Sequence, residues 1–158
     1  MISPTLGKIS LKEAVKLIAT KIENKDDANW HLIIGTDSQN KYDTKIVTVI
    51  ALHEVGHGGI YFYEIKHVSK IKDIRVKLYT ETQTSLEIID KLFEEFHNIN
   101  FDYTRTNLAL TLHVDAGFNG PSSQVIPGIV GYVRSLGFDV EVKPESVAAC
   151  CIADRISK

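Results

Sequence analysis

The stretch WHLIIGTDSQ, residues 30–39, decides how the chain is read. Trp30 to Ile34 is continuous enough in apolar residues for a strand buried at the centre of a sheet. It then runs into Gly35-Thr36-Asp37-Ser38-Gln39, so the strand delivers a carboxylate at its end. The fold follows from what lies beside that strand, and the chemistry from what else arrives at that end.

Downstream, residues from about Lys45 to His53 predict a second strand, and from about Ile60 to Val68 a third, rich in aromatic and β-branched residues. Gly56, Gly58 and Gly59 make the link between them a hairpin turn, which turns the three strands into a meander. Upstream, Ser10 with Glu13 forms a capping-box pattern. Leu11, Ala14, Val15, Ile18 and Ile22 then recur at helical spacing, predicting a helix over roughly 10–24. Leu78, Thr82, Ser85, Leu86, Ile89, Phe93 and Phe96 mark one face of a long helix from about Ile74 to His97. LALTLHV, residues 108–114, predicts a fourth strand ending at Asp115. The segment from Pro121 to Leu136 predicts a helix, irregular at Pro127 and closed by Gly137. Phe138 to Val142 predicts a fifth strand, and Ser146 caps a last helix, VAACCIADRISK.

A meander followed by alternating helices and strands implies a mixed α/β sheet. The predicted strands 1, 4 and 5 are parallel and strand 2 antiparallel, because helical crossovers return the chain in one direction. The expected architecture is five strands in the order 3-2-1-4-5, with helices on both faces and an extra N-terminal helix. At 158 residues and 44% apolar content this is one domain, residues 1–158, whose core needs neither disulfides nor structural metal. Cys150 and Cys151 are adjacent, a spacing that rarely closes a relaxed disulfide, and a reducing compartment suits them. No apolar run is long enough to cross a bilayer and MISPTLGKIS lacks the features of a secretory signal, so the expected location is cytoplasmic, away from membranes. A formal net charge of -2 gives no global attraction to a polyanion, which a local patch or metal ions would have to hold. No repeat or low-complexity tract marks a domain boundary.

Strands 1 and 4 are expected to be neighbours, with connections departing to opposite sides, and open α/β sheets bind ligands at such a junction. Asp37 and Asp115 then end adjacent parallel strands whose backbones lie about 4.8 Å apart. Two carboxylates so close raise each other's pKa, and a bound divalent cation keeps both ionised. Each Asp alone reads equally well as the cap of a turn. Glu81 lies early in the long helix on the flank of its apolar face, able to point towards the sheet edge; a surface salt bridge is the plainer reading of that residue alone. Asp154 stands among small and apolar residues of the last helix, and Glu145 just before that helix is its rival for a fourth position. Four such oxygen ligands suit Mg²⁺ or Mn²⁺ and the in-line displacement at a phosphate that a pair of ions supports, with no nucleophilic side chain required.

Four blocks carry a resemblance: GTDSQ at 35–39, VTVIALHEVGHGGIYFY at 47–63, HVDAGFNGPS at 113–122 and KPESVAACCIADR at 143–155. Through them nearly the whole chain resembles the ribonuclease H-like YkuK family of bacterial proteins. The wider superfamily implies Asp37, Glu81, Asp115 and Asp154 as catalytic metal ligands, each by its place on the matching element. Some ribonucleases H add a histidine before the last helix, and this chain has none between Phe138 and Asp154. His113 shares the strand face of Asp115 and is placed to assist, although packing within the strand explains it as well.

His53-Glu54-Val55-Gly56-His57 satisfies the zinc-protease pattern H-E-x-x-H, whose chemistry requires a helix. The β-branched run before it, the glycines within and after it, and Tyr63 in place of a third histidine reject that reading in favour of a hairpin turn. Lys66, His67, Lys70, Lys72, Arg75 and Lys77 crowd the link between strand 3 and the long helix, opposed only by Asp73. They read either as a track for the phosphates of RNA or DNA or as a solvated basic loop. The expected function is a divalent-metal-dependent nuclease or related phosphodiester hydrolase. The competing expectation is a nucleic-acid-binding scaffold that keeps the fold without the chemistry.

Overall fold

The computed structural model describes residues 1–146, 152–153 and 155–156. Its sheet has seven strands in the order β2-β1-β5-β4-β3-β6-β7, formed by β1 (Ile2–Ser3), β2 (Gly7–Lys8), β3 (Trp30–Asn40), β4 (Thr44–Glu54), β5 (Gly58–Val68), β6 (Leu108–Gly117) and β7 (Asp139–Lys143). β3, β4 and β5 are the antiparallel meander, while β6 and β7 run parallel to β3. The predicted order 3-2-1-4-5 is therefore present as β5-β4-β3-β6-β7.

The count of five strands is corrected to seven. The additional hairpin, β1 with β2, pairs Ile2 with Tyr63 at the outer edge of β5. Two-residue strands around Pro4 and Gly7 are too short to show a period of two, so nothing in the pattern announces them.

Three helices lie between the strands: α1 (Leu11–Glu23), α2 (Ile74–Asn98) and α3 (Ile126–Ser135). Ser10 and Glu13 close the capping box at the start of α1. Asp73 caps α2 by accepting from the amides of Arg75 at 2.7 Å and Val76 at 3.2 Å. The helix expected from Pro121 begins only at Ile126; residues 121–125 are turns, and Pro127 sits in the first helical turn, where its missing N–H costs nothing. Gly137 takes φ 87 just after α3, the left-handed conformation a helix stop favours.

Strand alternation sorts the core. Trp30, Leu32 and Ile34 of β3 face the apolar sides of α1, α2 and α3. Ile33, with Val47, Val49 and Ala51 of β4, faces the other way and packs with Ala153, Ile152 and Ile156. Helices on both faces were expected, and Ile152, Ala153, Arg155 and Ile156 are helical. Among the described residues no helix is long and apolar enough to cross a membrane.

Candidate functional site

β3 does not stop at Ile34 but continues to Asn40, and β6 continues to Gly117, so Asp37 and Asp115 lie within strands and not beyond them. The parallel ladder between the two strands ends at Thr36 opposite Val114, and the two aspartates are the next residue on each strand. Val114 and Ala116 belong to the helix-side core, so Asp115 points to the opposite face, as Asp37 does by the same alternation. Asp37 is buried, and the side chain of Asp115 is largely so.

Glu81 approaches from the helix side. It lies on the buried face of α2, only 5% exposed, and accepts a 2.6 Å hydrogen bond from Ser38 Oγ through Oε1. Ser38 neighbours Asp37 on β3 and points the other way, so the strand end carries one carboxylate directly and grips a second through a hydroxyl. Deeper in the same interface Thr36 hydrogen-bonds Ser85 at 2.8 Å and Thr48 at 3.2 Å, which fixes α2 against the strands. Burial pushes the Glu81 carboxyl up to about 7, and the negative charges of Asp37 and Asp115 push the same way against Ser38 and Lys77. An acid raised by burial, with further acids adding to the rise, is the electrostatic mark of a site that lacks positive charge.

Two lysines supply part of that charge. Lys143 Nζ lies 2.7 Å from Asp115 Oδ1, yet that oxygen is buried without a hydrogen-bond partner. The contact is a close ion pair that does not form a hydrogen bond. Lys77 Nζ stands 3.8 Å from Glu81 Oε1. The donor set is all carboxylate oxygen, which fits a hard divalent cation such as Mg²⁺ or Mn²⁺, and the unsatisfied Asp115 oxygen is the atom such an ion would satisfy. Among the described residues no three acid, imidazole or thiolate groups are gathered closely enough to form a ready-made cage. Asp154, like Cys150 and Cys151, lies outside the described residues.

The remaining candidates are dispersed. Glu145 is exposed in the turn after β7. His113 is buried beside Asp115 on β6, with Nε2 3.1 Å from Glu141 and Nδ1 unpartnered; burial lowers its pKa although Glu141 opposes this. In the basic stretch, Lys66 pairs with Glu64 at 3.2 Å, His67 with Asp43 at 2.7 Å, and Lys70 donates to the Lys41 carbonyl. Lys72 and Arg75 are exposed around the start of α2, and Lys77 is the member that reaches the acids. His53 and Glu54 end β4 on opposite faces and His57 lies in the turn that follows, with Gly56 and Gly58 at positive φ. No helix presents the two histidines together.

Sequence reading missed Ser38 and Lys143 as partners of the acids, and Glu141 as the partner of His113. Ser38 stood inside the quoted GTDSQ block, and alternation alone would have aimed it at the long helix. Lys143 reaches Asp115 only because the ladder between β6 and β7 shifts between Val114 and Gly117, a bulge with no signature in the sequence.

A family model described as ribonuclease H-like matches residues 13–158. The Bacillus subtilis (strain 168) protein described as "Uncharacterized protein YkuK" is 26% identical over 160 residues, an alignment covering 96% of this chain and 93% of that protein. Both agree with the resemblance carried by the four sequence blocks. A solved structure of the Mos1 transposase catalytic domain and Raltegravir with Mg aligns at a TM-score of 0.30 and 10% identity, over 82% of this chain. This chain spans 58% of the length of that one, and likeness at that level carries no argument.

Proposed function

This chain belongs to the ribonuclease H-like family, and from that premise we propose that it is a divalent-metal-dependent nuclease, or a related phosphodiester hydrolase, acting on RNA or DNA. Asp37, Glu81, Asp115 and Asp154 are the proposed ligands and Mg²⁺ or Mn²⁺ the proposed ion. The observation that carries the reading is Glu81, a carboxylate raised to about 7 chiefly by its burial, with the nearby charges of Asp37 and Asp115 adding to the rise. A fold gains nothing in stability by collecting acids in this way, whereas a cation site requires it. An ion held there supplies charge stabilisation at the scissile phosphate and a more acidic water.

The chain's own residues provide the framework. Asp37 is fixed by its pairing with Val47 of β4, Asp115 lies in the bulge of β6 between the paired Val114 and Gly117, and Ser38 holds Glu81 towards the sheet end. Lys70, Lys72, Arg75 and Lys77, with Lys66 at the end of β5, border the same end and are proposed to carry the phosphates that flank the reacting one. Isothermal titration with Mn²⁺ tests the reading: the wild type takes up the ion, and Asp37→Asn loses both that heat and nucleic-acid cleavage. Cleavage that survives Asp37→Asn overturns it.

A second reading has its own support in the Lys143–Asp115 and Lys77–Glu81 pairs, which already offset two of the negative charges. In that reading the protein is a nucleic-acid-binding scaffold without chemistry. It predicts no Mn²⁺ heat, but salt-sensitive RNA or DNA binding that charge reversal at Lys70, Lys72 and Arg75 removes.

A further inference from the structure

We propose that Lys143 is a resident counter-cation of the carboxylate cluster, which faces Asp115 while the site is empty of metal and yields that oxygen when a divalent ion binds. The inference rests on the reading above, that the cluster takes such an ion, and adds what controls its affinity.

Position comes first. β7 is the outermost strand on this side of the sheet, and Lys143 is its last residue, paired with Gly117 across the bulge. The register shift brings its Nζ to 2.7 Å from Asp115 Oδ1. A lysine serving only to lock β7 onto β6 would be expected to align its protons on the oxygen. Here the distance is that of a strong ion pair, and the oxygen is nevertheless buried with no aligned donor. The ammonium therefore contributes charge more than direction, and charge is what an incoming ion would replace.

Exposure comes second. The Lys143 side chain is 56% exposed while that of Asp115 is 16% exposed. The ammonium thus keeps contact with water while the carboxylate is largely withdrawn from it. Lys77 repeats the arrangement more loosely at Glu81, 3.8 Å away. The two ammonium groups together carry the charge of one divalent ion, so a metal entering the cluster meets cations that already offset part of the acids' charge and must be displaced or tolerated. Removing one of them leaves the empty cluster poorer in compensation and the filled cluster relieved of a like charge. Both changes favour the ion.

The test uses the full chain: isothermal titration with Mn²⁺, and thermal unfolding in chelator and in Mn²⁺, for wild type, Lys143→Met, Lys143→Gln and Asp115→Asn. Expected are Mn²⁺ affinities about tenfold or more tighter in Lys143→Met and Lys143→Gln, the scale on which one nearby unit charge acts on a divalent ion. Both variants should also melt lower than wild type in chelator and gain more on adding Mn²⁺. A lysine with a purely structural role would lower melting equally in both conditions. Wild-type binding that is lost in Asp115→Asn, combined with no tightening in either lysine variant, overturns the role of Lys143 and leaves the metal site standing. Mn²⁺ binding unaffected by Asp115→Asn, or binding by none of the proteins, overturns both. Should Lys143→Met fail to fold, Lys143→Gln keeps the charge change and decides the same question.

Discussion

Lys25 and Lys143 each face a carboxylate, one at either end of the sheet. At the turn end, Lys25 Nζ donates to both oxygens of Glu54, at 2.8 and 2.9 Å, and that contact draws the Glu54 pKa down. At the other end, Lys143 approaches one oxygen of Asp115 without aligning on it, beside a buried Glu81 whose pKa is driven up. The first pair is complete: each charge finds what it needs locally, and HEVGH reduces to a well-made hairpin. The second is an excess of acid only partly offset. A motif that matches a catalytic signature thus sits where the electrostatics are settled, and a weaker one, GTDSQ, where they are not.

The largest effect that separates the two ends is on catalysis. Under the proposed function, Glu81→Gln lowers the cleavage rate by roughly a hundredfold or more, the scale on which one preorganised charged or polar group contributes to such a centre. Glu54→Gln and His57→Ala leave the rate and the Mn²⁺ heat at wild-type values. Comparable losses from both ends, measured on one labelled oligonucleotide under single-turnover conditions, would break the contrast.

The same contrast explains how far the sequence could be read. Apolar runs and helical periods located all five central strands and three helices, because burial imposes those periods directly. It left the β1 and β2 hairpin and the true lengths of β3 and β6 unseen, since polar residues such as Thr36 and Ser38 are buried there for the sake of Ser85 and Glu81 and do not read as core. Asp37 and Asp115 could be paired from topology alone, and Glu81 from its helical position. The residues that tune them could not. Alternation gives the side of the sheet on which Ser38 lies but not that Glu81 is its partner, and Lys143 needs a bulge; both are tertiary facts that local spacing does not encode.

Stability against pH gives a smaller and independent separation. Glu81 is raised to about 7 in the fold from an ordinary 4.5, so the folded state holds its proton more tightly than the unfolded chain. Stability from this group is full below about 4.5 and is lost as pH rises through about 7, to a total of roughly 3 kcal/mol at most. Chelated Glu81→Gln, which can still accept from Ser38, is therefore expected to be more stable than wild type at pH 8 and close to it at pH 4.5. Urea unfolding at the two pH values measures this, and an unchanged difference between them would mean that Glu81 is not the group that titrates.

Glu54 supplies the smallest effect and the opposite sign. Its pKa is lowered, chiefly by the Lys25 hydrogen bonds, so its contribution is present above the unfolded pKa and disappears as pH falls through the folded one. Lys25→Met should accordingly flatten only the acid limb of the stability profile, with no change above neutrality and none in Mn²⁺ affinity. Lys143→Met should do the reverse, altering metal affinity and the neutral-pH stability of the chelated protein. Two lysine deletions equal in formal charge then act on different limbs and different ligands, because one lysine completes a pair and the other stands in for an ion.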